Sequence, residues 1–342
     1  MIATARQSTE IDVASLLDWM VPRVDGVGPD IALHQISGGQ SNPTFFLETN
    51  DRHLVLRKRP PGKLLPSAHA VDREYRVQEA LAASAVSVPR MVAFCEDESV
   101  IGTQFYLMER VEGRVFHDNG LPEIPVKERR AYFDAIASML AEIHKIDIKE
   151  AGLTGFGKPG GFAERQVGRW TRQWELSSTA PNNDINALIN WLPNNMPDDE
   201  RNTLVHGDFR LGNVMFHPDE PRIVAVLDWE LSTLGHPMAD LAHSCIYTWF
   251  MRSDEYSRGL LDRDVAGDGL PDMDEFVSQY FAASGDDGKL SRFYLVLALF
   301  RNAVIFEGIA SRARQGNASS KDAAEVGRLA PALAARGAAL IA

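Results

Sequence analysis

His206-Gly207-Asp208-Phe209-Arg210-Leu211-Gly212-Asn213 sets a histidine, an aspartate and an asparagine at the spacing H-x-D-x-x-x-x-N, and a further aspartate, Asp228 of Val226-Leu227-Asp228-Trp229-Glu230, follows Asn213 by fifteen residues. Asp208 and Asn213 share one short loop. There a carboxylate can take a proton from a hydroxyl, and a neutral amide oxygen can ligate a hard divalent cation. Asp228 ends the apolar run Ile223-Val224-Ala225-Val226-Leu227, which reads as a buried strand delivering a carboxylate to that cation. Val214-Met215-Phe216 and the turn His217-Pro218-Asp219-Glu220-Pro221 complete a short apolar hairpin ahead of it. A base and two oxygen ligands are what movement of a γ-phosphoryl group demands. The joint pattern therefore predicts a phosphoryl-transfer centre with Asp208 as base and Asn213 and Asp228 as magnesium ligands.

Outward from this loop the chain divides by periodicity. A helix is expected over Val13 to Met20. Strands then flank the turn Ser37-Gly38-Gly39-Gln40-Ser41-Asn42-Pro43, and a third strand runs from His53 to Arg57. An amphipathic helix around His69 to Ala83 precedes strands near Met91 to Phe94 and Phe105 to Met108. Beyond Val111-Glu112-Gly113, apolar positions recur at helical spacing through Tyr132 to Ile143, Phe162 to Ser177, Asp274 to Ala283, Phe293 to Ala313 and an Ala-rich carboxy-terminal segment. The expected organisation is a helical segment over 1–30, a nucleotide-binding lobe over 31–111 with a small mixed β-sheet and one helix, and a larger, mainly helical catalytic and substrate-binding lobe over 112–342.

An ATP site needs backbone donors near the phosphates, a cation upon them and an apolar slot for adenine. The turn Ser37, Gly38, Gly39, Gln40, Ser41 and Asn42 can provide the donors, because Gly38 and Gly39 have no Cβ to hold a ligand away. On Leu54-Val55-Leu56-Arg57, period-two alternation puts Val55 and Arg57 on one face, so Arg57 can point at the phosphates while Val55 lines the slot. Glu74 is positioned to hold the cation in place, with Glu79 as an alternative partner. Phe105 to Gly113 would pass beside adenine, with main-chain groups near Glu109 and Val111 and with Met108 at the back.

These residues resemble the aminoglycoside phosphotransferase and choline-kinase-like family, relatives of the protein kinases. The resemblance runs from about Ile31 to Ala283 and is most specific in HGDFRLGNVMF, VLDWE and GHPMADLAH. It implies an α+β, two-lobed protein-kinase-like fold that uses ATP and magnesium. Asp208 is implied as catalytic base, Asn213 and Asp228 as metal ligands, Arg57 as the phosphate-binding cation and Glu74 as its partner. His206 and Asp240 are implied to support the catalytic loop. Protein kinases carry Lys where Arg57 stands, which leaves Lys58 as the other candidate for the phosphates. Trp229-Glu230 replaces Phe-Gly after the metal aspartate, and the short path to Gly235-His236-Pro237 leaves no room for a long activation loop, so no protein substrate is expected.

Within the family, LRKRPPGKLLPSAHAVDREYRV and ERQVGRWTRQWE are similar to a branch that includes the kinase domain fused to acyl-CoA dehydrogenases, for which a hydroxyacyl-CoA is the implied acceptor. Arg165, Arg169 and Arg172 lie four and three apart on one helix beside Trp170 and could meet the phosphates of such a substrate. The alternative acceptor, a polycationic aminoglycoside, would use the acidic group Asp254, Glu255, Asp262, Asp264, Asp268, Asp272, Asp274 and Glu275. A nucleotide-binding scaffold without turnover is the alternative of another class. The presence of Asp208, Asn213 and Asp228 together favours the enzyme.

A formal net charge of −12 over 342 residues argues against nucleic-acid binding. Two distant cysteines, Cys95 and Cys245, no CxxC and an amino terminus without a basic and apolar leader lead us to expect a cytoplasmic protein without structural zinc. The apolar stretch from Phe293 to Phe300 ends at Arg301, so no membrane span is expected.

Overall fold

Short turns between β-branched and aromatic runs build the first part of the chain into a sheet, and the computed structural model describes it within residues 6–7, 11–28, 30–36, 42–60, 70–178, 180–199, 201–314 and 326–342. Two compact units emerge: 1–113 with 224–230, and 114–223 with 231–342.

In the first unit, strand β1 (Arg6–Gln7), helix α1 (Val13–Met20), strands β2 (Ala32–Gln35), β3 (Thr44–Glu48) and β4 (His53–Lys58), helix α2 (Val71–Leu81) and strands β5 (Met91–Cys95) and β6 (Phe105–Glu109) follow in order. The strands form one sheet in the order β1-β2-β3-β4-β6-β5. All its pairings are antiparallel, which corrects the mixed sheet expected from the strand, helix, strand order. The reason is topological: α2 does link two parallel strands, β4 and β5, but β6 returns between them and is antiparallel to both.

Alternation then sorts the side chains by face. Phe45, Leu47, Leu54, Leu56, Phe105 and Leu107 point into a core that Leu16 and Met20 of α1 close, so α1 belongs to the same core as the sheet. Asp12 caps α1 by accepting from the Ala14 and Ser15 amides at 3.1 and 3.2 Å. Val55, Arg57 and Tyr106 take the opposite face, Arg57 being registered against Tyr106 and Val55 against Met108. Helix α2 packs on β5 and β6 and buries Val71, Glu74, Gln78 and Leu81. A carboxylate is thereby set into an apolar helix face above the sheet.

The second unit contains helices α3 (Arg129–His144), α4 (Phe162–Ser177) and α5 (Asn183–Trp191) and strands β7 (Thr203–Val205) and β8 (Val214–Phe216). Strand β9 (Ile223–Val226) leads from this unit into the 224–230 segment of the first. Strand β10 (Thr233–Gly235) and helices α6 (Pro237–Trp249), α7 (Met273–Ser284), α8 (Arg292–Arg314) and α9 (Leu329–Ala339) complete it. The β10–β7 pairing, antiparallel with Leu234 opposite Leu204, anchors the loop that follows Val205. The turn after β8 closes with the His217 amide donating to the Arg222 carbonyl at 2.8 Å.

Helix α8 continues well past Arg301, close to the Phe293 to Ala313 that the helical spacing implies, so that its apolar part is longer than the stretch ending at Phe300. Its length and composition would suffice to cross a bilayer, but 78% of its apolar window is buried within the chain, as in a core helix. Cys95 and Cys245 are both buried and unbridged.

Phe105 is fully buried in the core of the first unit. Phe105→Ala is expected to destabilise that unit by about 3–5 kcal/mol, read as a lowered midpoint in urea titration, whereas a solvent-facing change such as Glu112→Ala should leave the midpoint nearly unmoved.

Candidate active site

Helix α6 begins at Pro237, whose missing N–H costs nothing in a first turn, and His236 caps it by accepting the Met238 amide through Nδ1 at 3.2 Å. Asp240 lies in that first turn and is 1% exposed. Its carboxylate turns back to the loop after β7, accepting the His206 amide at 2.5 Å and the Gly207 amide at 2.8 Å. Gly207 has φ +85°, and a Cβ there would meet the Leu231 carbonyl oxygen at 2.6 Å, so only glycine fits the bend. His206 is fully buried, and its Nδ1 accepts the Asp208 amide at 3.2 Å. Asp240 and His206 thus both brace the backbone that carries Asp208.

Asp208 projects from this braced loop with a side chain 22% exposed. His243, one turn along α6 from Asp240, contacts Oδ1 through Nε2 at 2.8 Å. The Asn213 amide nitrogen donates to Oδ2 at 2.8 Å and to the Asp208 carbonyl at 2.8 Å. Arg210 Nε stands 3.5 Å from Oδ2. Burial alone would push the Asp208 carboxyl up, but the hydrogen bond from His243 and the charges of Arg210 and Arg301 outweigh it and hold the group well below the usual carboxylate range. Burial pushes the His243 imidazole down, and the bond to Asp208 only partly offsets this. We read the pair as an ionised carboxylate accepting from a neutral imidazole protonated at Nε2. That tautomer agrees with a buried Nδ1 that has no hydrogen-bond partner among the described residues.

In the first unit, Arg57 Nε pairs with Glu74 Oε2 at 2.8 Å, and its terminal nitrogen donates to Asp228 Oδ1 at 2.8 Å. Glu74, 1% exposed, also accepts from Tyr106 Oη at 3.0 Å and from the Asn42 amide. Burial would lower the Arg57 pKa, but the charges of Glu74, Tyr106, Asp228 and Glu230 raise it, and the guanidinium stays cationic. Burial raises Glu74 against the pull of Arg57. Lys58 is 4% exposed and takes the alternate face of β4, away from this network. Asp228 adopts φ +65°, a left-handed backbone that aspartate tolerates better than most residues. The Trp229 indole fixes the bend by donating to the Val226 carbonyl at 3.0 Å.

Hard oxygen donors suit magnesium, which takes one or two carboxylates and completes its shell with water and phosphate. The donor set fits. Asn213 commits its amide nitrogen to Asp208 and so presents its oxygen, and Asp228 keeps a side chain 35% exposed.

The other residues expected at the site divide. Val55 and Met108 are cross-strand neighbours, as an adenine slot would need. The Glu109 amide instead donates to the Arg90 carbonyl at 2.9 Å, and its carboxylate pairs with Arg52 and Arg90, so Glu109 has only its carbonyl left to offer a ligand. Val111 is half-buried beyond the end of β6. Ser37, Gly38, Gly39, Gln40 and Ser41 lie outside the described residues, and of that turn only Asn42 is seen, bound to Glu74. On α4, Arg165 spends its guanidinium on the Lys158 and Gly160 carbonyls. Arg172 is exposed, whereas Arg169 and Trp170 stack, with the guanidinium 5.0 Å from the ring centroid.

Two residues escaped the sequence reading. His243 stands three residues after Asp240 and hence on the same helix face, a spacing that could have flagged it. Arg301 donates to the Gly207 carbonyl at 2.8 Å from α8, and nothing local in the sequence signals that contact.

With this geometry in view, the chain's likeness to known proteins is informative. A model of the phosphotransferase enzyme family matches residues 32–288. Acyl-CoA dehydrogenase family member 10 of Mus musculus is 43% identical over 311 residues, which make up 90% of this chain but 29% of that protein. A crystal structure from Ralstonia eutropha JMP134, provisionally named an aminoglycoside phosphotransferase, is 41% identical with a TM-score of 0.89, covering 96% of this chain and 98% of that one. A thermostable mutant of aminoglycoside phosphotransferase APH(4)-Ia, solved with AMP-PNP and hygromycin B, shares the fold at 17% identity and a TM-score of 0.63, covering 96% of this chain and 99% of that one. The chain belongs to the phosphotransferase enzyme family, with its kinase-like α+β fold. It is a small-molecule phosphotransferase, and it spans under a third of the length of its mouse relative.

Two predictions follow from the buried charges. Asp240→Ala leaves two buried amides without an acceptor and should cost roughly 2–5 kcal/mol of stability, measured by chemical denaturation. The second concerns pH. His243 and His236 have lowered pKa values in the fold, so the unfolded chain binds more protons below about pH 6.5 and stability falls there. Asp208 and Asp240, also lowered, add stability above the ordinary carboxylate range that is lost as pH drops through their folded values. The thermal midpoint should be flat from pH 7 to 8, decline below about 6.5 and fall more steeply below about 4. His243→Gln should shallow the first decline.

Proposed function

We propose that the protein is an ATP- and magnesium-dependent kinase that phosphorylates a hydroxyl of a small metabolic compound, with a hydroxyacyl-CoA as the acceptor class. The observation that carries this reading is the Asp208 carboxylate, held ionised between His243 Nε2 and the Asn213 amide, each at 2.8 Å. A carboxylate so oriented retains lone pairs for an incoming hydroxyl. In the proposed reaction the acceptor oxygen bonds to the γ-phosphorus of ATP while the bond from that phosphorus to the ADP oxygen breaks. The hydroxyl proton passes to Asp208, and the products are ADP and a phosphate monoester.

A carboxylate held this far below its usual range is a weak base, so its main contribution is to orient the hydroxyl and to receive the proton late. That suits a loose transition state in which positioning and charge neutralisation dominate. Magnesium, when bound, would neutralise the β- and γ-phosphate oxygens, with Asn213 and Asp228 as its ligands. Arg57, fixed by Glu74, would bind the phosphates, and its planar fork offers two parallel donors where a lysine offers a point charge.

The acceptor assignment draws support from the state of the acidic segment. Glu255 is spent on a two-pronged pair with Arg336 at 2.7 and 2.8 Å, and Asp268 pairs with Arg263 at 2.8 Å. Asp262 binds Ser253, and Asp272 and Glu275 form the capping box of α7. These carboxylates are already engaged within the chain, which disfavours a site for a polycation. The high identity to a protein named for acyl-CoA dehydrogenase chemistry points the same way.

Magnesium-dependent ADP release, screened over 4-hydroxyacyl-CoA thioesters, small alcohols and kanamycin, tests the assignment. Turnover is expected with the thioesters, and Asp208→Asn should lower kcat by about 10²–10⁴. Turnover with kanamycin alone would refute the acceptor class, and an Asp208→Asn variant as active as the native enzyme would refute the base.

A further inference from the structure

Helix α8 is apolar along most of its length, and Arg301 interrupts it. A half-buried guanidinium in such a helix is costly unless something pairs with it. Its terminal nitrogen reaches the Gly207 carbonyl, but its Nε is buried without a hydrogen-bond partner. Its guanidinium carbon lies 5.8 Å from the centroid of the Trp170 ring, and that of Arg169 lies 5.0 Å from the same centroid. Among the described residues neither arginine has a carboxylate within 4 Å, the charge of Asp208 acting on Arg301 from farther off, whereas Arg263 and Arg336 each have one. Two cations sharing one indole repel each other, and burial together with the charge of Arg301 lowers the pKa of Arg169. An anion seated between them would relieve that repulsion.

Space lies beside Arg301. Phe162, Gln166, Trp170, Leu297, Ala298 and Arg301 are among the walls of a small cavity of about 30 Å³, room for a single small polar group, and Arg169, which is not one of its walls, stacks on the Trp170 ring that is. A larger cavity of about 540 Å³ shares Phe162 and Tyr294 as walls and could hold the rest of a ligand. Arg301 also touches the loop that carries Asp208, which ties the cavity to the reacting hydroxyl.

We propose that Arg169, Trp170 and Arg301 form an acceptor-specificity site that binds an oxyanion, a carboxylate or a phosphate, carried by the hydroxyl compound. As a statement about the acceptor this rests on the kinase reading above, but the binding itself does not. It assigns named residues to the anionic part of the acceptor and adds Arg301, a residue from a distant helix, to the selection of substrate.

Isothermal titration calorimetry of the full chain at low salt separates the possibilities, with octanoate as carboxylate probe, CoA as phosphate probe and octan-1-ol as neutral control. At least one anion should bind roughly tenfold or more tightly than the alcohol, and Arg169→Gln and Arg301→Gln should each weaken it by roughly tenfold or more, the worth of a charge-assisted hydrogen bond. Arg301→Lys should restore part of the loss. Arg169→Gln guards against a merely structural effect, since that side chain is exposed and makes no hydrogen bond to the Asp208 loop. Loss of octanoate binding assigns a carboxylate, and loss of CoA binding a phosphate. Binding of neither anion, binding unchanged in both variants, or loss in Arg301→Gln alone would overturn the two-arginine site. Failure of the kinase reading would appear separately, as ADP release that survives Asp208→Asn.

Discussion

A buried carboxylate in the first turn of α6 holds the loop that carries Asp208 in shape. Asp240 takes two consecutive backbone amides, those of His206 and Gly207, and so satisfies donors that a tight bend would otherwise leave unpaired in the interior. The charge is tolerable because it sits at a helix amino terminus and because His144 approaches Oδ2 at 3.5 Å. From that anchor the geometry of a helix does the rest. His243 lies one turn on, on the same face, and grips the side chain of Asp208 while Asp240 grips the backbone. One rigid helix therefore fixes both the loop and the orientation of the carboxylate it carries.

The first unit repeats the strategy with different parts. Glu74 is set into the apolar face of α2 and receives Arg57, Tyr106 and Asn42, so that a cation on a central strand is held by a buried anion and two neutral donors. Arg57 reaches in turn to Asp228. Buried ionic networks of this kind contribute little net stability, because desolvation offsets most of the attraction. Their value lies in orientation: the guanidinium is held with its fork locked, as the proposed contact with phosphate oxygens would require.

Much of this was legible in the chain. The residues Asp208, Asn213 and Asp228 stand out because their spacing is local and their chemistry is specific, and Val55 and Arg57 share a face because strands alternate. Elements with strong periodicity, such as α1, α2, α3 and α4, lie close to where their apolar spacing put them. The short strands β7 and β10 were not anticipated, since three residues carry too little pattern to register, and the nine-residue helix α5 was not anticipated either. The antiparallel sheet was missed for a different reason. Strand order in the sequence does not say that β6 inserts between β4 and β5.

Local pattern determined which residues are proposed to bear chemistry, because the side chains suited to a general base, a metal ligand or a phosphate-binding cation can be read at short spacing. Tertiary structure decided which of them work together. Arg165 was drawn away to the carbonyls of its own loop, Glu109 gave its amide to Arg90, and Glu255 of the acidic segment was taken by Arg336 from the last helix. Arg301 came to the Asp208 loop from a helix 94 positions away from its partner Gly207. Such pairings depend on long-range packing, which a linear sequence encodes only through the whole fold, and so they became visible only when the chain was folded.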